Sequence, residues 1–445
     1  MVDSAQDTIF SLSSAAGRAG VSVFRVSGAK AGGIITALTQ RPCPAPRAAA
    51  LRKLYSGDEL IDEALVLWFP APASFTGEDC AEFQVHGSPA VIEAMAHAFA
   101  VLGARQSEAG EFTKRAFDNG KMDLTEAEGL ADLIDSESEG QRKQAVRQMK
   151  GGLRAAYEDW RETLLDALAQ IEGEIDFPDE EDIPDGLSHK AYPYLNEVQA
   201  SMEKLLSDGD KGERIRAGLD IAIIGAPNAG KSSLINSLAG RDAAIISPEA
   251  GTTRDIIEVQ LTLAGLPVRL SDTAGLREAD NAIEAEGVKR AKARAAESDI
   301  RIFVQDGSCK DWDKEALSWL GPNDFCVINK SDLPVKASLP ELPCPSLSLS
   351  TKSQAGMDAL RAQLEARITE MFSPSQDAGL TRARHRDCVV RAKDSTARAL
   401  DNLGLAPELS GDDIRRALHA IKELAGEIDI ERVFDRIFSR FCVGK

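Results

Sequence analysis

Gly225-Ala226-Pro227-Asn228-Ala229-Gly230-Lys231-Ser232 decides the reading of this chain. It fits G-x-x-x-x-G-K-[ST], follows an apolar run, Asp220-Ile221-Ala222-Ile223-Ile224, that reads as a strand, and opens a helix expected over Ser233 to Leu238. The glycines let the backbone curl so that its N–H groups face phosphate oxygens. Lys231 then reaches the outer phosphates, and the Ser232 hydroxyl is placed for Mg²⁺. Asn228, Ala229, Gly230 and Ser233 complete the expected cradle.

Outward from this loop, further elements follow in order. Asp272-Thr273-Ala274-Gly275 comes after the expected strand Val268-Arg269-Leu270, which sets a carboxylate beside the metal and a glycine N–H near the γ-phosphate. Asn329-Lys330-Ser331-Asp332 follows the strand Phe325 to Ile328. There Asp332 can accept guanine N1–H and its 2-amino group, a donor pair that adenine lacks. Ser350-Thr351-Lys352 ends the next strand and closes over guanine O6. Between the loop and Asp272 lies Gly251-Thr252-Thr253-Arg254-Asp255, where Thr253 is expected to join the Mg²⁺ shell when γ-phosphate is present. These motifs in this order imply a GTP site. Leu276 stands where Ras-like proteins place a water-orienting glutamine, so another group must act on water; Glu278, Glu284 and Glu286 are candidates. No arginine finger is evident, and a cation beside the β/γ-phosphates, held in part by Asn228, would meet the same electrostatic need.

Strands alternating with helices from Leu219 to about Phe372, with a further strand over Ile300 to Val304, imply a doubly wound, mostly parallel sheet. Before it, residues 1 to about 118 read as α+β. Candidate strands lie at Val21–Val26, Ala64–Phe69 and Glu82–His86, and a candidate helix at Ala90–Leu102. From about 121 to 175 the pattern turns helical, with Leu124, Ala127, Leu130, Ala131 and Ile134 as a buried stripe. Asp176 to Asp185 holds two prolines and six acids and reads as an exposed loop. A second helix is expected over Tyr194–Leu206. The last 70 or so residues read as helical and too few for a core of their own, so they should pack on the earlier helices, with the nucleotide block inserted between.

At 445 residues the chain is long enough for two to four domains. The formal charge of −19 argues against a general nucleic-acid binder, so RNA contact would need a local basic face or a basic partner. Two candidates are Lys143, Arg147, Lys150 and Arg154, which recur at helical spacing and would share a face, and the cluster Arg382-Ala383-Arg384-His385-Arg386 with Arg391 and Lys393. The seven cysteines form no C-x-x-C pair and are expected to be free thiols. No apolar stretch approaches a membrane span, and an acidic residue stands where a secretory leader would be basic. The expected location is the cytoplasm.

Beyond the nucleotide motifs, the chain carries Gly17-Arg18-Ala19-Gly20-Val21, Phe24-Arg25-Val26-Ser27-Gly28, Ser74-Phe75-Thr76-Gly77-Glu78-Asp79 and His86-Gly87. Gly110-Glu111-Phe112-Thr113-Lys114-Arg115-Ala116-Phe117, Asp123-Leu124-Thr125-Glu126-Ala127-Glu128, Asp176-Phe177-Pro178-Asp179-Glu180-Glu181 and a final Phe441-Cys442-Val443-Gly444-Lys445 follow. With these landmarks it resembles the MnmE (TrmE) transfer-RNA modification GTPases along essentially its whole length. The resemblance implies a multidomain α/β protein: an α+β folate-binding and dimerising domain (1–118), a helical domain in two segments (119–213 and 377–445), and an inserted P-loop, Ras-like G domain (214–376). It implies a homodimer whose G domains meet when potassium is bound, with Asn228, Ser247, Glu249 and Thr252 around that ion. Ser247, Pro248, Glu249, Ala250, Gly251 and Thr252 would line the nucleotide. By the same resemblance Glu284 positions the attacking water through a second water, and Arg254, Asp255 and Arg277 lie in or beside the switch regions.

The resemblance further implies 5-formyl- or methylene-tetrahydrofolate near Arg25, Glu82, Lys121 and Lys445. Acting with the flavoprotein MnmG, such a protein adds a carboxymethylaminomethyl or aminomethyl group to C5 of the wobble uridine (position 34) of certain tRNAs. Cys442 would sit near the folate. Departures are modest: Ala226 stands where many relatives have a basic residue, and Ser350-Thr351-Lys352 replaces Ser-Ala. The nucleotide motifs alone also suit a ribosome-assembly switch, but the end motif, the N-terminal landmarks and the lack of a KH-type G-x-x-G loop favour tRNA modification.

Overall fold

The computed structural model describes residues 7–15, 17–176, 187–208, 211–240, 258–272, 293, 295–334, 336, 338–372 and 379–428. They form two compact units, one from Met1–Ala131, Gln148–Leu195 and Asp394–Lys445, the other from Asp132–Arg147 and Asn196–Lys393. No helix among the described residues is long and apolar enough to cross a membrane.

The first unit holds a six-stranded sheet in the order β3-β4-β5-β2-β1-β6: β1 Ile9–Leu12, β2 Ala19–Ser27, β3 Ala50–Ser56, β4 Glu59–Phe69, β5 Cys80–Gly87 and β6 Arg105–Gln106. Its pairings are antiparallel except β1 with β6. Period-2 alternation sends Phe24, Val26, Ala81, Phe83, Val85, Ala64 and Val66 into one core, under the helices Ala31–Thr39 and Pro89–Val101. The second helix starts with Ser88 accepting from the Val91 amide and with Pro89 in its first turn. The opposite sheet face keeps apolar side chains in the open: Leu51 and Leu65 are cross-strand partners, both exposed, and Val21 is exposed as well.

Asp123-Leu124-Thr125-Glu126 is a capping box. The Glu126 amide donates to Asp123 Oδ1 at 2.9 Å while Glu126 Oε2 accepts from the Asp123 amide at 2.8 Å, which starts the helix Leu124–Ile134. The expected stripe on that helix is rotated. Leu124 and Ala127 are buried, but Thr125, Glu128 and Gly129 join them, while Leu130, Ala131 and Ile134 are only half-buried. Gly129 explains the turn of the face, since a Cβ there would press on the backbone of Gln148 and Met149. The helix Gly152–Asp176 buries Leu153, Tyr157, Trp160, Leu164, Ala167, Leu168 and Ile171, and Pro407–Ala425 from the tail packs on it through Gly411, beside Leu168 and Ile171. An Arg415–Glu172 ion pair lies alongside. Within the tail, the helix Pro407–Ala425 therefore packs on an earlier helix, as expected.

The second unit holds the other six-stranded sheet, in the order β12-β11-β10-β7-β9-β8. These are β7 Leu219–Ile224, β8 Glu258–Leu263, β9 Leu266–Asp272, β10 Ile300–Asp306, β11 Phe325–Asn329 and β12 Ser346–Ser348. All neighbours run parallel except β8 with β9. Alternate residues divide between the faces, as a doubly wound sheet requires. Ile221, Ile223, Ile302, Val304 and Val327 pack under the helices Lys231–Ala239 and Met357–Phe372, whereas Ala222, Ile224, Phe303 and Cys326 pack with Ala295 and Ala316. Burial pushes the Cys326 thiol up to about 12, in keeping with thiols that serve as small apolar residues. The β8–β9 turn, with Ala264 and Gly265 at positive φ, accepts at the Gly265 carbonyl from the Gly140 amide, 2.9 Å away. Gly140 opens the helix Glu139–Met149 with Glu139, and a Cβ there would strike Leu266.

Candidate nucleotide site

The order of this sheet reverses at β7: β9 and β8 lie on one side, β10, β11 and β12 on the other. Ligands of open α/β sheets bind at the carboxyl edge beside such a reversal, and the phosphate loop leaves β7 there. Its backbone needs glycine at two points. Gly225, at φ 135°, lies so close to the Val304 carbonyl that a Cβ would overlap it, and Gly230, at φ 100°, abuts the Asn329 side-chain amide in the same way. Asn228 takes the left-handed region at φ 60°, which asparagine tolerates. Lys231 begins the following helix, and its ammonium donates to the carbonyls of Gly225 (2.9 Å) and Ala226 (2.8 Å), closing the loop on itself.

One residue on, the Ser232 hydroxyl donates to Asp272 Oδ2 at 2.6 Å. A hydroxyl from the start of the helix Lys231–Ala239 and a carboxylate from the end of β9 thus meet beside the loop, two hard oxygens of the kind that could hold a magnesium ion. Asp272 is buried at the end of β9.

The base side is equally connected. Asn329 donates to the Ala229 carbonyl at 2.9 Å and accepts from the amides of Lys330 (2.8 Å) and Thr351 (3.2 Å), so one buried side chain ties three segments. Asp332 Oδ1 accepts from Ser350 at 2.6 Å, and that hydroxyl, helped by nearby Lys352 and Lys330, holds the Asp332 carboxyl below the usual carboxylate range. An ionised Asp332 can only accept, as a guanine edge requires. Lys330 donates to the Asn228 carbonyl at 2.9 Å and to Asp306 Oδ2 at 2.6 Å. Asp306 belongs to no motif and escaped the sequence reading. Its signal was available as an Asp-Gly pair closing an apolar strand at the carboxyl edge of a parallel sheet.

Ser247, Pro248, Glu249, Ala250, Gly251, Thr252, Thr253, Arg254 and Asp255 lie outside the described residues. So do Thr273, Ala274, Gly275, Leu276, Arg277, Glu278, Glu284, Glu286, the acidic stretch 177–185, Cys442 and Lys445. Of the expected folate contacts, Arg25 and Glu82 face each other across β2 and β5. Arg25 donates to Glu82 Oε1 from Nε (3.1 Å) and Nη2 (2.8 Å), and its guanidinium lies 5.2 Å from the Phe75 ring centroid and 6.0 Å from that of Phe112. Lys121 donates to the Pro72 carbonyl at 2.9 Å and flanks Gly77, so it borders the loop that carries Phe75. That loop is pinned through Glu78, which accepts from Ser27 (2.7 Å) and Arg115 (3.1 Å); Arg115 also pairs with Glu111.

The basic stripe expected over Lys143, Arg147, Lys150 and Arg154 does not form on one face. The helix Glu139–Met149 ends, Gly151 turns at φ 80°, and Arg154 rides on the next helix, bound to Glu158 at 2.8 Å. In the second cluster, Arg382 binds Asp132 and Arg386 binds Glu213, each at 2.7 Å, while Arg391 binds Asp387. Arg382 and Arg386 thus bind carboxylates of earlier segments, whereas Arg391 is exposed and pairs within its own helix.

A sheet reversal that brings a glycine-rich loop with its lysine, a bonded serine–aspartate pair and an asparagine that ties three segments to one edge defines a P-loop nucleotide domain of the GTPase class. A family model described as MnmE helical domain matches residues 124–442, and one described as GTP-binding protein TrmE N-terminus matches residues 8–121. Three relatives bear the name tRNA modification GTPase MnmE. That of Maricaulis maris (strain MCS10) is 54% identical over 439 residues, covering 98% of this chain and 99% of its own. Those of Parvibaculum lavamentivorans (48% over 445 residues) and Caulobacter vibrioides (46% over 446) each cover 99% of this chain and 100% of their own. The chain belongs to the MnmE (TrmE) family.

Proposed function

We propose that this chain is a GTP hydrolase acting in the modification of tRNA, and that its family's finer chemistry applies to it. The observation that carries the reading is the convergence of Lys231, Ser232, Asp272, Asn329 and Asp332 at one sheet edge. Ser232 and Asp272, with Thr253, would hold Mg²⁺, which supplies charge neutralisation between the outer phosphates. Asn228, Ser247, Glu249 and Thr252 would hold K⁺, and Glu284 would orient water. The domains divide as 1–118, 119–213 with 377–445, and 214–376.

In the N-terminal domain, Arg25, Glu82 and Lys121, with Lys445, would bind a one-carbon tetrahydrofolate. Both Arg25 bonds fall on Glu82 Oε1, which suits a carboxylate reading a pterin edge with its other oxygen, and Phe75 and Phe112 border the same guanidinium. The exposed Leu51–Leu65 pair and Val21 support a homodimer through the outer sheet face. MnmG is the partner that completes the wobble-uridine chemistry, in the cytoplasm.

GTP turnover in potassium against sodium tests this reading, on the wild-type chain and on Glu284→Ala. Potassium should raise the wild-type rate by about a hundredfold, and the variant should lose most of that rate. Equal rates in the two ions would remove cation activation. Equal turnover of GTP and ATP would remove the base assignment.

A further inference from the structure

Two side chains join the base strap to the phosphate loop. One is Asn329, through the Ala229 carbonyl; the other is Lys330, through the Asn228 carbonyl. A lysine side chain is long and freely rotating, so its ammonium holds such a post only if something fixes it. Here a carboxylate does so: Asp306 Oδ2, 2.6 Å away at the end of β10. Lys330 also sits at φ 64°, an uncommon place for a residue with a side chain, and such backbone persists where the surroundings over-determine it. Asp306 is itself prepared for the task. Its Oδ1 accepts from the amide (2.9 Å) and hydroxyl (2.7 Å) of Ser308, which leaves Oδ2 to the lysine. Burial opposes its charge, but the Lys330 ammonium and the Ser308 donors outweigh it and hold the carboxyl at about 2, so the pair stays ionic at any working pH.

Resting on the GTP reading above, we propose that Asp306 is a positioning residue that anchors Lys330 across the phosphate loop and thereby sets the affinity for guanine nucleotide. It touches no nucleotide itself. The anchored Lys330 joins the segment 328–332, which would read the base, to the loop 225–232, which would hold the phosphates. A nucleotide therefore meets a strap already in place and loses less freedom on binding.

GDP affinity of the full chain, measured by titration calorimetry, tests the proposal on Asp306→Asn, Lys330→Met and the double variant. Asp306→Asn should weaken GDP about tenfold, on the scale of one lost charge-assisted contact. Its turnover at saturating GTP should stay within about threefold of wild type, a split expected of binding lost equally by ground and transition states. Asp306→Asn should cost nothing further once Lys330 is methionine, because both substitutions break the same link. Ser308→Ala, which takes one of two Ser308 donors from Oδ1 but leaves the lysine its anchor, should weaken GDP less than Asp306→Asn does. Asp306→Ser is a second route should Asp306→Asn fold poorly. Unchanged GDP affinity in either Asp306 variant, or losses that multiply in the double variant, would overturn the proposal. Wild-type protein that binds no GDP at all would instead overturn the nucleotide reading beneath it.

Discussion

Ser232 and Asp272, forty residues apart in sequence, share a hydrogen bond of 2.6 Å between hydroxyl and carboxylate. A divalent ion arriving there would find both oxygens within one coordination sphere. Asp272→Asn keeps the shape but removes the charge that a magnesium ion needs. We expect GTP turnover to fall by about a hundredfold or more, while GDP binding without magnesium changes by only a few fold. Turnover assays and titrations with and without chelator check this; a variant with wild-type turnover would exclude Asp272 from the metal's surroundings.

Gly230→Ala places a methyl group against the Asn329 amide and forces φ 100° on an alanine. Both effects fall on the phosphate loop, so nucleotide binding should be lost, at a stability cost of about 1–3 kcal/mol. Calorimetry and a denaturation curve separate the two. Tight GDP binding by this variant would refute the geometry of the loop.

Glu111 sits between Arg105 (2.6 Å) and Arg115 (3.0 Å) in the N-terminal unit. Burial works to raise its pKa, but the Arg105 bonds, the Glu108 amide and Arg115 prevail and hold it below the ordinary 4.5. A depressed carboxylate stabilises the fold fully above its unfolded value, and this contribution drains away as pH falls from 4.5 through the folded value. Glu111→Gln should therefore cost about 2 kcal/mol at neutral pH and flatten the stability profile below 4.5. Urea titrations across pH 3 to 7 (about the range where carboxylates titrate) measure it; parallel profiles for the two proteins would contradict it.

Glu126→Ala removes half of the capping box that starts Leu124–Ile134. The loss should be about 1 kcal/mol, with GTP turnover unchanged. A chemical denaturation curve shifted by that amount, beside an unaltered rate, is the expected pair of results.

The candidate nucleotide site was legible in the sequence because its grammar is local. Gly230 and Lys231 are adjacent, and each motif follows an apolar strand whose residues alternate between two buried faces. The strands at Asp220, Val268, Ile300 and Phe325 lie where expected for the same reason. What was hidden depends on distance. Asp306 acquires its meaning from Lys330, and nothing in the intervening residues announces the pair. Helical spacing suggested one face for Lys143 to Arg154, but Gly151-Gly152 was the local signal that should have overruled it. Arg382 and Arg386 looked like part of a phosphate patch because their carboxylate partners, Asp132 and Glu213, are remote in sequence. The short strands Ile9–Leu12 and Arg105–Gln106 gain their pairing only from each other and from β2, and so gave no periodic signal of their own.

Strand β9 carries Asp272 at its far end and begins, at Leu266, beside the turn whose Gly265 carbonyl is bonded to Gly140. Seven residues at about 3.3 Å each make it a rod roughly 20 Å long, clamped edgewise by β7 and β8. A rod held along its sides slides as a whole or not at all. The carboxylate at one tip and the turn that bonds Gly140 at the other therefore share one strand, whose register both neighbours fix.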